Sequence, residues 1–159
     1  MLEKEVGELL RELGLTLAVA ESCTGGLLAH RITNIPGSSN YFIGGVVAYS
    51  NRVKSALLKV SEETLNTKGA VSEETALQMA RGVRELLGTD IGIGITGIAG
   101  PGGGTPTKPV GLVYVALSAP DYEECRQFNW KGHRIQNKRL STEAALEMLS
   151  SYLRRRSRD

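Results

Sequence analysis

The chain has 159 residues, 41% of them hydrophobic and 23% charged, and its net charge is +2. That length suits one domain with a sizeable buried core, and so small a charge argues against nucleic acid or an anionic membrane as the main partner. Cys23 and Cys125 form no paired motif and His30 and His133 lie far apart, which argues against a disulfide framework or a metal site and suits a reducing compartment.

Leu2, Val6, Leu9, Leu10 and Leu13 recur at helical spacing, and Gly14 supplies a stop. This opening segment is charged and amphipathic, unlike a signal peptide. No apolar run reaches the ~20 residues that span a bilayer, so the expected compartment is cytoplasmic. Leu15 to Ala20 reads as a short buried strand, Thr24 to Ile35 as a helix broken by Pro36-Gly37, and Tyr41 to Tyr49 as a central strand. Ser50 or Asn51 caps a short helix through Leu58, and Ser61 opens another. Ser72 caps the clearest helix. Its apolar face is Ala76, Met79, Ala80, Val83, Leu86 and Leu87, and Gly88 ends it. Ile91 to Thr96 and Val110 to Leu117 read as strands, the second forming a hairpin with Tyr122 to Trp130. A last helix is predicted from about Asn137 to Arg154, followed by a basic tail read as solvated and frayed. This order predicts an α/β fold, a three-layer α/β/α sandwich with a mixed sheet, as a single domain over residues 1–159.

Glycine is the unusual residue, with 19 copies concentrated near 25–26, 44–45 and 92–104. Ala20-Glu21-Ser22-Cys23-Thr24-Gly25-Gly26 falls where a strand meets a helix, the region in which α/β sheets gather ligands. Ser22 and Thr24 offer hydroxyls there, while Gly25 and Gly26 leave backbone N–H groups open to an anion. A plain helix cap by either hydroxyl is the competing reading. Cys23 is a rival nucleophile, since a helix N-terminus lowers a thiol pKa, or is simply a buried small side chain.

A second strand-to-helix junction holds Tyr49-Ser50-Asn51-Arg52-Val53-Lys54. A lysine on the first turns of that helix can point back to the strand ends, where a neutral amine would serve as general base to a serine. The alternative is a surface lysine, the usual fate of that residue. Gly92-Ile93-Gly94-Ile95-Thr96-Gly97 matches G-x-G-x-x-G, but its glycines alternate inside a strand instead of opening a helix, so the dinucleotide reading fails. Alternation puts Gly on one face, where a helix can pack closely. The Gly97–Gly104 loop that follows offers an anion-binding concavity. Arg134 and Lys138 are candidate phosphate contacts or ordinary surface charge.

AESCTGG at 20–26, GGVVAYSNRVK at 44–54, GAVSEETALQMARG at 69–82, ITGIAGPGGGTPTKPVG at 95–111 and GHR at 132–134 together resemble the CinA C-terminal domain family, whose stand-alone members are nicotinamide mononucleotide amidohydrolases. The resemblance implies deamidation of that nucleotide with no metal or cofactor. It implies Ser22 as nucleophile, Lys54 as its base and Tyr49 as a supporting hydroxyl. Thr96, Gly97 and Gly100 would line the nucleotide pocket, with Thr24, Gly25, Gly26, Arg134 and Lys138 as further substrate contacts. The family pattern Gly-Asp-Arg appears here as Gly132-His133-Arg134, and a position usually Arg is Lys138. Glu21 is open to two roles, offsetting the charge of the pyridinium ring or capping structure. The helix start at 22–26 is open to two as well, oxyanion or phosphate. The partner is a small nucleotide substrate, not nucleic acid or membrane, and a homo-oligomer is expected. A nucleotide-binding or regulatory module linked to competence is the alternative to an enzyme.

Overall fold

The computed structural model describes residues 1–159. In chain order it has α1 (Leu2–Leu13), β1 (Leu17–Glu21), α2 (Leu27–Thr33), a 3₁₀ turn (Ser38–Asn40), β2 (Phe42–Val47), α3 (Asn51–Ala56) and α4 (Glu62–Thr67). Then follow α5 (Glu73–Leu87), β3 (Ile91–Gly97), β4 (Leu112–Ala119), β5 (Tyr122–Asn129) and α6 (Arg134–Ser157). The sheet order is β2-β1-β3-β4-β5. β1 runs parallel to β2 and β3, β4 antiparallel to β3, and β5 antiparallel to β4. This is the expected mixed sheet between two helical layers.

The period of two in the strands sorts the layers. Leu17, Val19, Ile91, Ile93 and Ile95 face α1, α2 and α6, where they join Leu10, Leu28, Leu146 and Leu149 in the main core. Each such side chain, fully buried, stabilises the fold by roughly 1.5–3 kcal/mol. On the other face Ala18 and Ala20 meet Met79 and Val83 of α5. Gly92 and Gly94 also lie on that face. A Cβ on either would overlap the α5 backbone at Ala80 and Ala76 respectively. The alternating glycines therefore let a helix lie directly on the sheet.

Side chains fix the helix starts. Ser50, Ser61 and Ser72 each accept a hydrogen bond from a backbone N–H three residues on. Three expectations change. The second helix starts late, at Leu27, because Gly25 (φ 61°) and Gly26 (φ 105°) are left-handed. β2 is an edge strand, not a central one, with Ile43 and Val47 half-exposed. Its apolar run resembles a central strand because Phe42 packs on the main core and Val46 on the α5 side even though the strand lies at the edge. The basic tail is helical through Ser157. Arg154 pairs with Glu5, Arg155 lies over the Tyr122 ring and Arg156 pairs with Asp121, partners too distant in sequence to be foreseen. No helix is long and apolar enough to cross a membrane.

Candidate active site

β1 ends at Glu21, and the chain turns so that the Ser22 N–H is held by the Ile95 carbonyl of β3 at 3.0 Å. β2 ends beside it, and the Ser50 cap starts α3 at once. Lys54, one turn along α3, points back beneath the strand ends and is buried. Its Nζ lies 3.2 Å from Ser22 Oγ, 3.0 Å from the Ala48 carbonyl and 3.5 Å from the Tyr49 carbonyl. No carboxylate neutralises it, and burial lowers its pKa below the ordinary lysine value. As an ammonium it donates to all three oxygens. As a neutral amine it keeps two N–H groups on the carbonyls, and its lone pair faces the Ser22 hydroxyl. The fold thus supplies the arrangement that a serine–lysine pair needs.

Above the pair opens a cavity of about 310 Å³. Its walls include Tyr49 and Asn51 on one side, Ala70 and Val71 on another, and the Thr96–Gly103 segment. Thr96 is buried and its hydroxyl donates to the Ala70 carbonyl at 2.6 Å, so it fixes that wall. Arg134 closes the rim, donating to the Gly100 carbonyl at 2.8 Å and to the Tyr49 hydroxyl at 3.2 Å. The N–H groups of Ala99, Gly100, Gly102, Gly103 and Gly104 have no acceptor within the protein, nor do those of Cys23 and Thr24. Of these residues Cys23, Ala99, Gly100, Gly102 and Gly103 line the cavity, where orphan donors are groups that a bound anion or a developing oxyanion would satisfy.

Ser22, Lys54, Tyr49, Thr96, Gly97, Gly100 and Arg134 are therefore gathered around one cavity. Tyr49 is exposed on its rim. Its hydroxyl is turned to Arg134, and only its backbone reaches Lys54. Thr24, Gly25, Gly26 and Lys138 are not on this cavity. They line a neighbouring one of about 410 Å³ with His30 and Arg139. The two left-handed glycines turn the chain away from the pair, and Lys138 packs against Gly25. Cys23 lines the main cavity, but burial pushes its thiol up to about 12, which leaves it protonated and unreactive.

Glu21 takes the capping role. Its carboxylate accepts from Thr24 Oγ1 at 2.6 Å and from the backbone N–H groups of Leu28 and Ala29 at 3.0 Å each. It serves α2, whose own N-cap is a glycine. His133 likewise caps α6, accepting from the Gln136 N–H through Nδ1 at 3.2 Å. An imidazole nitrogen does there what an aspartate carboxylate would do. Two residues had little signal in the sequence. Asn51 reads in the sequence only as an alternative cap to Ser50, yet Ser50 takes the cap and Asn51 lines the cavity. Asn137 stood only as the start of a helix, and its buried amide becomes visible only when distant segments meet.

The CinA C-terminal domain family is matched over residues 1–153. Among curated relatives, a protein of Moorella thermoacetica named for competence-damage induction is 58% identical over 153 residues, 96% of this chain and 37% of its own length. A CinA-like protein of Desulfotalea psychrophila is 51% identical, covering 93% of this chain and 36% of its own. The chain thus spans a little over a third of those relatives. Among solved structures, the competence/damage inducible protein CihA of Agrobacterium tumefaciens superposes with a TM-score of 0.90 at 41% identity, covering 94% of each chain. A CinA superfamily protein of Klebsiella pneumoniae gives 0.93 at 33% identity, covering 97% of this chain and 96% of that one.

Proposed function

Because this chain belongs to the CinA C-terminal domain family and seats a buried amine against a serine hydroxyl, we propose that it hydrolyses the carboxamide of nicotinamide mononucleotide. The products are nicotinic acid mononucleotide and ammonia. The observation that carries the reading is Lys54 Nζ, buried without a counter-ion at 3.2 Å from Ser22 Oγ. A domain that only holds a nucleotide has no use for such a group.

An amide is a poor electrophile, so its hydrolysis needs an activated nucleophile and donors for the oxyanion. Ser22 Oγ attacks the carboxamide carbon as neutral Lys54 takes the hydroxyl proton. The Cys23 N–H, on the same cavity as Ser22 and without an acceptor in the protein, is the donor to the oxyanion. Lys54 then returns the proton to the departing nitrogen, which leaves as ammonia. A water then attacks the acyl-serine as Lys54 takes its proton, and Lys54 passes that proton to Ser22 Oγ as the acid leaves. The cationic pyridinium beside Lys54 favours the neutral amine. Arg134 and the orphan N–H groups of the Gly-rich loop suit the phosphate at the far end of the substrate. This division gives the oxyanion, not the phosphate, to the turn at Ser22 and Cys23.

The test is release of ammonia from the purified protein with nicotinamide mononucleotide, with and without chelator. Turnover insensitive to chelation is expected, with free nicotinamide a poor substrate because the phosphate-binding groups would be idle. Abolition by chelator, or equal turnover of free nicotinamide, contradicts the assignment.

A further inference from the structure

Asn137 is buried and every polar bond of its side-chain amide is made within the protein. Its Oδ1 accepts from the Gly132 N–H at 3.1 Å, and its Nδ2 donates to the Gly132 carbonyl and to the Ala99 carbonyl at 3.0 Å each. One side chain thus ties the turn before α6 to the Gly-rich loop. The turn leads within two residues to Arg134, which holds the next carbonyl of that loop, Gly100, at 2.8 Å.

The peptide plane gives this clamp a consequence. In a trans peptide the carbonyl and the following N–H point in opposite directions. With the Ala99 carbonyl drawn onto Asn137, the Gly100 N–H points away from it, and that N–H has no acceptor in the protein. Gly100 lines the cavity above Ser22. The same clamp sets the backbone from which the Arg134 guanidinium reaches the rim.

We propose that Asn137 is a positioning residue for the anionic end of the substrate: it aims the Gly100 N–H and the Arg134 guanidinium at the phosphate while touching neither substrate nor the Ser22–Lys54 pair. The inference rests on the proposed amidohydrolase reading for the identity of the substrate. Asn137 hydrogen-bonds neither Ser22 nor Lys54, so its loss is expected to act on binding and not on the proton transfer.

The experiment compares wild type with Asn137→Ser and Asn137→Asp on two substrates, nicotinamide mononucleotide and nicotinamide riboside, which lacks the phosphate. The expected result is a rise of about tenfold or more in KM for the mononucleotide, the size of one lost charge-assisted hydrogen bond. Its kcat should stay within about threefold, and kcat/KM for the riboside should not change. A variant that folds poorly loses the same active fraction for both substrates, so the ratio of the two kcat/KM values remains readable. Equal losses on both substrates, or no change on either, overturn the proposal. If wild type releases no ammonia from the mononucleotide, the functional reading fails by itself. Titration calorimetry with inorganic phosphate then decides the clamp: about tenfold weaker binding in Asn137→Ser supports it, and equal binding overturns it.

Discussion

Lys54 Nζ and Ser22 Oγ lie 3.2 Å apart beneath a cavity that no carboxylate lines. The amine is held by two backbone carbonyls, which fix its direction, and by burial, which lowers its pKa. Position and protonation thus come from different parts of the fold: the Ser50 cap and α3 supply the first, and the covering of the strand ends supplies the second.

The adjacent residues Ser22 and Cys23 should separate cleanly. Ser22→Ala is predicted to lower turnover by several orders of magnitude, whereas Cys23→Ala retains most of it. The thiol is pushed up to about 12, so it also resists alkylating reagents in the folded protein at pH 7 to 8. Rates for both variants and the labelling of Cys23 check this. Loss of activity in Cys23→Ala with survival in Ser22→Ala would move the chemistry to sulfur.

The close seating of α5 on the sheet predicts a stability effect. A methyl at Gly94 would overlap the Ala76 carbonyl and crowd Met79, backbone that cannot swing aside. Gly94→Ala should destabilise the protein by about 1–3 kcal/mol or more, the range for overpacking. Denaturant unfolding measures it, and an unchanged midpoint would contradict the contact.

Tyr41 predicts the opposite. Its ring is buried against Gly7, and its hydroxyl has no hydrogen-bond partner. An unsatisfied buried hydroxyl costs roughly 1–3 kcal/mol. Tyr41→Phe keeps the packing and removes that cost, so its melting temperature should equal or exceed that of wild type. A clear loss would mean that the hydroxyl has a partner in solution.

Much of this arrangement was legible in the sequence because it is local. Period two in β3, the three serine caps and Gly88 announce the sheet core and the helix starts. The strand-to-helix junctions at Ser22 and Tyr49 announce where ligands gather. What stayed hidden depends on distance along the chain. Nothing near Tyr41–Tyr49 says that β2 is an edge, since that depends on which strand pairs with β1. The arginines of the tail resemble a frayed end until Glu5, Tyr122 and Asp121 are seen beside them. The motif at 22–26 reads as a single site, yet the left-handed Gly25 and Gly26 send it to two cavities, with Ser22 in one and Thr24 in the other. Asn137 had no signal, because its role consists of contacts with Ala99 and Gly132.

The pKa of Lys54 also leaves a mark on stability. Lysine in the unfolded chain titrates near ~10.4, and burial lowers that value in the folded state. Between the folded and unfolded values the unfolded chain binds more protons, so stability rises with pH through that window and levels off above ~10.4. Lys54→Met removes the ionisation. The stability of wild type relative to Lys54→Met should therefore increase as pH rises from 7 toward 10. A difference that does not vary with pH would contradict the depressed pKa.

The most direct test of the serine–lysine pair is the pH–rate profile of wild type beside Lys54→Arg and Lys54→Met. At pH 7 an ordinary lysine is neutral in under about a thousandth of molecules, while a catalytic lysine tuned toward ~7–8 supplies a usable base. The wild-type rate should rise with pH through an ionisation below the ordinary lysine value. Both variants should lose the activity and that ionisation, Lys54→Arg included, because a guanidinium does not give up its proton in a protein. A Lys54→Arg enzyme that keeps much of the rate would contradict the account, showing that charge rather than a neutral amine is what position 54 contributes.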